Sequence, residues 1–137
     1  MPDLAVLPQI FSKYPEVEAV YLFGSVAEGV TRPDSDLDLG IVPKDDNAHG
    51  KLLDFLADLT NAGFDRVDIV FLDTKDVFMK FEVVRHNRVI YASPDFDAGS
   101  FYSLAMREYW DYQPYLEVQR KTYKQRILHD GASGSYS

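Results

Sequence analysis

Two aspartates stand one residue apart in the run Ser35-Asp36-Leu37-Asp38-Leu39-Gly40-Ile41. Apolar and acidic positions alternate there with period two, which predicts a half-buried strand. Side chains at i and i+2 of a strand leave the same face, so the two carboxylates stand side by side while Leu37 and Leu39 turn inward. Adjacent carboxylates repel, and each raises the pKa of the other. A divalent ion that prefers oxygen ligands, Mg²⁺ above all, relieves that repulsion. Upstream, an apolar run from Val17 to Phe23 stops at Gly24-Ser25. A tight turn at Gly24 calls for a residue without a side chain. Free backbone N–H groups opening into a short helix through Val26-Ala27-Glu28 would cradle an anion, with the Ser25 hydroxyl beside them. A phosphate cradle facing a carboxylate pair is equipment for phosphoryl or nucleotidyl transfer. Taken alone, an Asp-x-Asp pair is also what a solvated acidic strand edge looks like.

The spacing adds to this. Gly24-Ser25, ten residues, then Asp36-Leu37-Asp38 resembles the G-S-x10-D-x-D signature of the DNA polymerase β-like nucleotidyltransferases. Leu22 through Leu39 further resembles the minimal nucleotidyltransferase (MNT) family, with Leu22, Phe23, Gly24, Ser25, Ala27, Gly29, Ser35, Asp36, Asp38 and Leu39 all in place. Members of that family often pair with a HEPN-domain toxin. The resemblance implies a third carboxylate on the next strand, inside a V-D-hydrophobic-V run that Val67-Asp68-Ile69-Val70 matches. Its ordinary reading is a partly exposed edge position, or an ion pair with Arg66. By resemblance, Asp36, Asp38 and Asp68 are the catalytic and metal-binding residues for two Mg²⁺ ions. Gly24, Ser25 and Ser35 would hold the phosphates of ATP. Arg32 would add positive charge, although a loop arginine is usually just solvated. The resemblance also implies an antitoxin that transfers AMP from ATP to a hydroxyl, first of all a tyrosine, of a cognate HEPN ribonuclease within a hetero-oligomer. Two other readings stand beside it: a binding-only antitoxin that masks the toxin, and a small-molecule nucleotidyltransferase of the kind that modifies antibiotics.

Bulk properties narrow the field. With 137 residues, one domain with a sizeable core is expected. A net charge of −8 argues against a general nucleic-acid binder, which needs a basic footprint for phosphates. No apolar run approaches the length of a membrane span, and no basic-then-apolar leader opens the sequence. There are no cysteines, which excludes disulfides and thiolate zinc sites and fits a cytoplasmic location.

The elements that must position the acids follow from periodicity. A helix is expected over Asp3–Tyr14, with Leu4, Leu7, Ile10 and Phe11 on one side and Pro8 in its first turn or at a kink. Strands are expected at Val17–Phe23, Leu37–Val42 and Arg66–Leu72, with a short edge strand at Arg88–Tyr91. Pro43–Gly50 reads as an exposed polar turn. A helix over Lys51–Asn61 would bury Leu52, Leu53, Leu56 and Leu59 and stop at Gly63. Another over Asp76–Arg85, capped by Thr74, carries the stripe Val77, Phe78, Phe81 and Val84. His86 at its polar end favours the helix C-terminus rather than acting as a base. Ser93-Pro94-Asp95 resembles a helix start, and helix is expected to about Leu128 with a break near Asp111–Pro114. The sequence after Asp130 is rich in Gly and Ser and is expected to be disordered. The fold class implied is α/β (α+β), a small mixed sheet flanked by helices. Its core would occupy residues 1–92, a helical extension of the same domain 93–128, and a tail 129–137. Many aromatics in the extension, Tyr109, Trp110 and Tyr112 among them, point to a surface for a partner protein.

Overall fold

A four-stranded mixed sheet lies between two helical layers. The computed structural model describes residues 2–27 and 36–112, with Ser25 entering through its backbone alone. In chain order, a 3₁₀ turn at Leu4–Val6 leads into α1 (Leu7–Phe11), followed by β1 (Val17–Phe23), α2 (Gly24–Ala27) and β2 (Leu37–Pro43). A 3₁₀ helix at Asp46–Lys51 leads into α3 (Leu52–Asn61), then β3 (Val67–Phe71), α4 (Val77–Val84) and β4 (Val89–Ala92). A last helix, α5, covers 98–112. The strand order is β3-β2-β1-β4, with β1 antiparallel to both β2 and β4, and β2 parallel to β3. This is the mixed sheet expected from the sequence.

Both sheet faces are covered, which is why β1 shows almost no alternation in burial. On one face Val20 and Leu22 of β1 and Leu37, Leu39 and Ile41 of β2 pack with Leu7 and Phe11 of α1 and Phe55 and Leu59 of α3. On the other, Ala19, Tyr21 and Val42 meet Val83 and Val84 of α4 and Ala105 of α5. Leu37, Leu39 and Ile41 are fully buried. Side chains of that size each stabilise by about 1.5–3 kcal/mol when removed from water. A slip of one residue would therefore drive all three against the opposite face, where Gly40 leaves no room beside Val83, and turn Asp38 toward the α1–α3 core, so the hydrophobic set pins the acid's direction. Gly40 lets α4 approach β2: a Cβ there would lie 2.5 Å from Val83 Cγ1. The α4–α5 pair is held by Phe81 stacked on Tyr109 at 3.7 Å and by Lys80 Nζ 3.4 Å from Glu108 Oε1.

Several local expectations are corrected. The first helix is shorter than Asp3–Tyr14; Asp3 caps the 3₁₀ turn by accepting from the Ala5 N–H, and α1 ends at Phe11. Pro43–Gly50 is not simply an open turn, because Asp45 accepts from the Asn47 N–H and starts the 3₁₀ helix. In α3 the buried positions are Phe55 and Leu59, while Leu53 is 79% exposed. Leu53 lies off the 52-55-59 stripe that faces the sheet. In α4 the cap is Asp76, whose carboxylate accepts from the N–H groups of Phe78 and Met79, while Thr74 only accepts from the Asp76 N–H. Val83 and Val84 are buried there, and Phe78 is left partly exposed. The last helix starts at residue 98 rather than at Ser93, because Asp97 caps it through the Ser100 N–H and hydroxyl. The helix continues through residues 111 and 112, where the expected break begins; the rest of that break, the helix beyond it and the tail lie outside the described residues.

Candidate active site

The register of the two parallel strands brings two of the three predicted acids together. Asp38 on β2 is the direct partner of Asp68 on β3, between the pairs Leu37–Val67 and Leu39–Ile69. Residues opposite each other in neighbouring strands share a face, here the face of Gly40 and Val42, at the starts of β2 and β3. Asp36 lies just before β2 and is exposed, as is Asp68, whereas Asp38 is partly buried. The Asp38 carboxyl is pushed up to about 6, by burial first, then by the charges of Asp68 and Asp36, and by a hydrogen bond with Asp68. The mutual repulsion expected from the sequence thus contributes, but comes second to loss of solvent. Asp68 forms the edge of the sheet, so its exposure agrees with the bland reading of an edge residue; its pairing with Asp38 is what that reading does not explain.

Gly24 closes the other side. It follows directly on Phe23, itself the partner of Asp38 across the antiparallel β1–β2 pair. Its φ is +76°, and a Cβ there would lie 2.0 Å from Asp38 Oδ2. The turn therefore needs glycine twice: for the left-handed backbone and for the space the carboxylate occupies. α2 begins at this residue. Arg88, which leads into β4, steadies the far end of α2. Its Nη1 lies 3.5 Å from the Val26 carbonyl oxygen and 3.4 Å from that of Ala27, and its own carbonyl accepts from the Leu22 N–H at 2.8 Å. A cation at a helix C-terminus is favourable. Nothing in the sequence marks Arg88 for this, since its partners lie some 61 residues away. Arg32 and Ser35 lie outside the described residues, and so does the Ser25 side chain.

The donor set of Asp36, Asp38 and Asp68 fits a hard divalent cation. All its donors are carboxylate oxygens, and an ion among them would offset the charge that raises Asp38. Among the described residues a tighter trio lies elsewhere: Asp46, His49 and Asp73 bring one donor atom each within 4.8 Å of one another. Among the described residues no helix is long and apolar enough to cross a membrane.

Three comparisons bear on this arrangement. No curated protein matches the chain significantly. Among solved structures, a chain of a toxin–antitoxin complex crystallised with AMP-PNP is 20% identical, with a TM-score of 0.62, covering 92% of this chain and 98% of that one. A chain of a mutant MntA-HpeT toxin–antitoxin complex is 19% identical, with a TM-score of 0.65 and coverage of 93% and 99%. A chain from the complex of a tri-AMPylated Shewanella oneidensis HEPN toxin with its MNT antitoxin is 18% identical, with a TM-score of 0.56 and coverage of 91% and 95%. At these identities the likeness establishes a shared fold. Residues 6–95, from the start of α1 through β4, match the family described as "Polymerase beta, Nucleotidyltransferase". That span holds the Gly24 turn and all three aspartates, and it leaves out only α5 among the described helices. The chain belongs to the polymerase β nucleotidyltransferase family and is a nucleotidyltransferase.

Proposed function

We propose that this nucleotidyltransferase is an antitoxin that transfers AMP from ATP to a hydroxyl, with tyrosine the expected acceptor, of a HEPN-domain toxin and silences it. The observation that carries the reading is the pairing of Asp38 with Asp68 in strand register, against the backbone of Gly24. Asp36, Asp38 and Asp68 would hold Mg²⁺, two ions in this reading, which supply charge neutralisation at the transferring phosphoryl group and at the pyrophosphate that leaves. The Gly24-Ser25 turn, with Ser35 and Arg32 in the segment that returns to β2, would hold the nucleotide's phosphates. In the reaction the acceptor oxygen bonds to the α-phosphorus, the bond from that phosphorus to the β-phosphate oxygen breaks, and pyrophosphate departs. The proton of the acceptor hydroxyl passes to a carboxylate of the trio. Arg88 contributes by holding α2, and therefore the turn, in place against β1. The partner assignment draws on the fold shared with chains of toxin–antitoxin complexes, one of them holding an AMPylated HEPN toxin.

Co-expression of the chain with its HEPN partner, followed by intact-mass measurement, tests this. The toxin's mass is expected to rise in AMP increments with ATP and Mg²⁺ and to stay unmodified with Asp36→Ala plus Asp38→Ala. A toxin that never gains mass beside a folded, ATP-supplied wild-type chain would overturn the proposal. A second reading, neutralisation by masking alone, is favoured by the exposed apolar side chains of Phe78 and Met79 on α4 and Trp110 and Tyr112 on α5. It makes the opposite prediction: the same double variant still protects cells from the toxin.

A further inference from the structure

A second group of metal-ligating side chains stands at the opposite end of the sheet. Asp46 opens the 3₁₀ helix after β2, His49 lies in its last turn, and Asp73 follows the end of β3. Their donor atoms all fall within 4.8 Å of one another. His49 Nε2 is 2.7 Å from Asp73 Oδ2, and the imidazole lies over the ring of Phe71 with centroids 4.2 Å apart. Asp73 lies five positions beyond Asp68 along β3 and its continuation, or about 16 Å at the rise of an extended chain. The group is therefore independent of the nucleotidyltransferase acids.

We propose that Asp46, His49 and Asp73 form a site for a borderline divalent transition ion of the Zn²⁺ or Ni²⁺ kind. The chemistry of the donors separates it from the catalytic acids. Three carboxylates suit a hard ion such as Mg²⁺; an imidazole nitrogen between two carboxylates suits Zn²⁺, Ni²⁺ or Co²⁺. Tetrahedral bonds of about 2.0–2.1 Å set neighbouring donors roughly 3.4 Å apart. That separation lies between the 2.7 Å His49–Asp73 contact and the 4.8 Å limit of the trio, so modest side-chain adjustment suffices. Phe71, seated on β3, holds the imidazole plane, so little freedom remains for the ion to remove. Two carboxylates are also brought within 4.8 Å of each other, and a cation between them offsets that charge. All three residues are exposed, which leaves the ion's remaining positions open to water or to a ligand from a partner. Bound there, the ion would clasp the β2–α3 connection to the β3–α4 connection.

The test is calorimetric titration of the full chain with NiCl₂ and, separately, ZnCl₂, without nucleotide. Asp36→Ala, Asp38→Ala and Asp68→Ala are built in so that the catalytic acids contribute nothing. One saturable equivalent is expected, at least tenfold weaker in His49→Ala and in Asp46→Asn, and not displaced by excess Mg²⁺. Circular dichroism confirms that each variant is folded; the substitution at exposed Asp46 keeps the test valid even if the loss of His49 perturbs its turn. Absence of saturable binding, or an affinity in either single variant equal to that of the parent, would overturn the proposal.

Discussion

Replacing Asp38 with asparagine should make the protein more stable while ending its chemistry. Ionised Asp38 is held at a cost, since its carboxyl titrates near 6 in the fold against 3.8 when free. A raised carboxylate favours the fold while protonated, below the free pKa, and loses that advantage as pH climbs through the folded value. At about pH 7.5 the full difference, roughly two pH units, corresponds to about 3 kcal/mol. Asp38 is only partly buried, so solvent screening reduces this to about 1–2 kcal/mol. Asparagine keeps the shape, and its amide can donate to Asp68 as the protonated acid does. Urea unfolding without Mg²⁺ should therefore show Asp38→Asn about 1–2 kcal/mol more stable than wild type at about pH 7.5. The gain should fall to about half at pH 5, where much of the native Asp38 is already protonated. Adding Mg²⁺ should narrow the gap by stabilising wild type alone. Nucleotide transfer by the variant should be lost at every pH. An asparagine variant no more stable than wild type at pH 7.5, or a gain that does not shrink on acidification, would refute the view that Asp38 is ionised under strain.

Two glycines, one at the turn that ends β1 and one within β2, should separate function from packing. Gly24→Ala, at φ +76° and with its Cβ 2.0 Å from Asp38 Oδ2, should cost about 1–3 kcal/mol and abolish transfer, measured by denaturation and by pyrophosphate release. Gly40→Ala meets Val83 Cγ1 at 2.5 Å and should cost about 1–3 kcal/mol by overpacking, while the folded fraction keeps its nucleotidyltransferase activity. A pair of tyrosines offers a third check by thermal unfolding. Tyr14→Phe removes the hydroxyl that donates to Asp58, the main reason the Asp58 carboxyl lies below its usual value, and should cost about 1–2 kcal/mol at neutral pH. That cost should fade as pH falls through the lowered Asp58 pKa, where the carboxylate is lost. Tyr21→Phe should be neutral or stabilising, because its buried hydroxyl has no partner among the described residues.

The strands were legible because their signal is local. The apolar runs of β1, β2 and β3 and the alternation through Leu37, Leu39 and Ile41 placed each strand to within a residue or two. Helix ends were less so. Asp76 rather than Thr74, and Asp97 rather than Ser93, caps its helix, and several polar residues near each start are chemically able to do so. Leu53 and Phe78 were expected inside and are exposed, because periodicity identifies a stripe but not which of two adjacent apolar residues turns to the sheet. The aromatic face was legible in composition; that Phe81 spends its ring against Tyr109 while Trp110 stays exposed was not.

For the acids themselves the division is sharper. The sequence by itself determined that Asp36 and Asp38 flank the first residue of one strand, ten residues beyond a Gly-Ser turn, because side-chain direction along a strand and the demands of a turn are properties of neighbouring residues. Only the tertiary structure decided that Asp68 stands opposite Asp38, that Gly24 presses on its carboxylate, that Arg88 reaches α2, and that Asp46, His49 and Asp73 meet at the other end. Those encounters depend on strand order and register, which are set by the packing of two cores against both faces of the sheet and not by the sequence around any one residue.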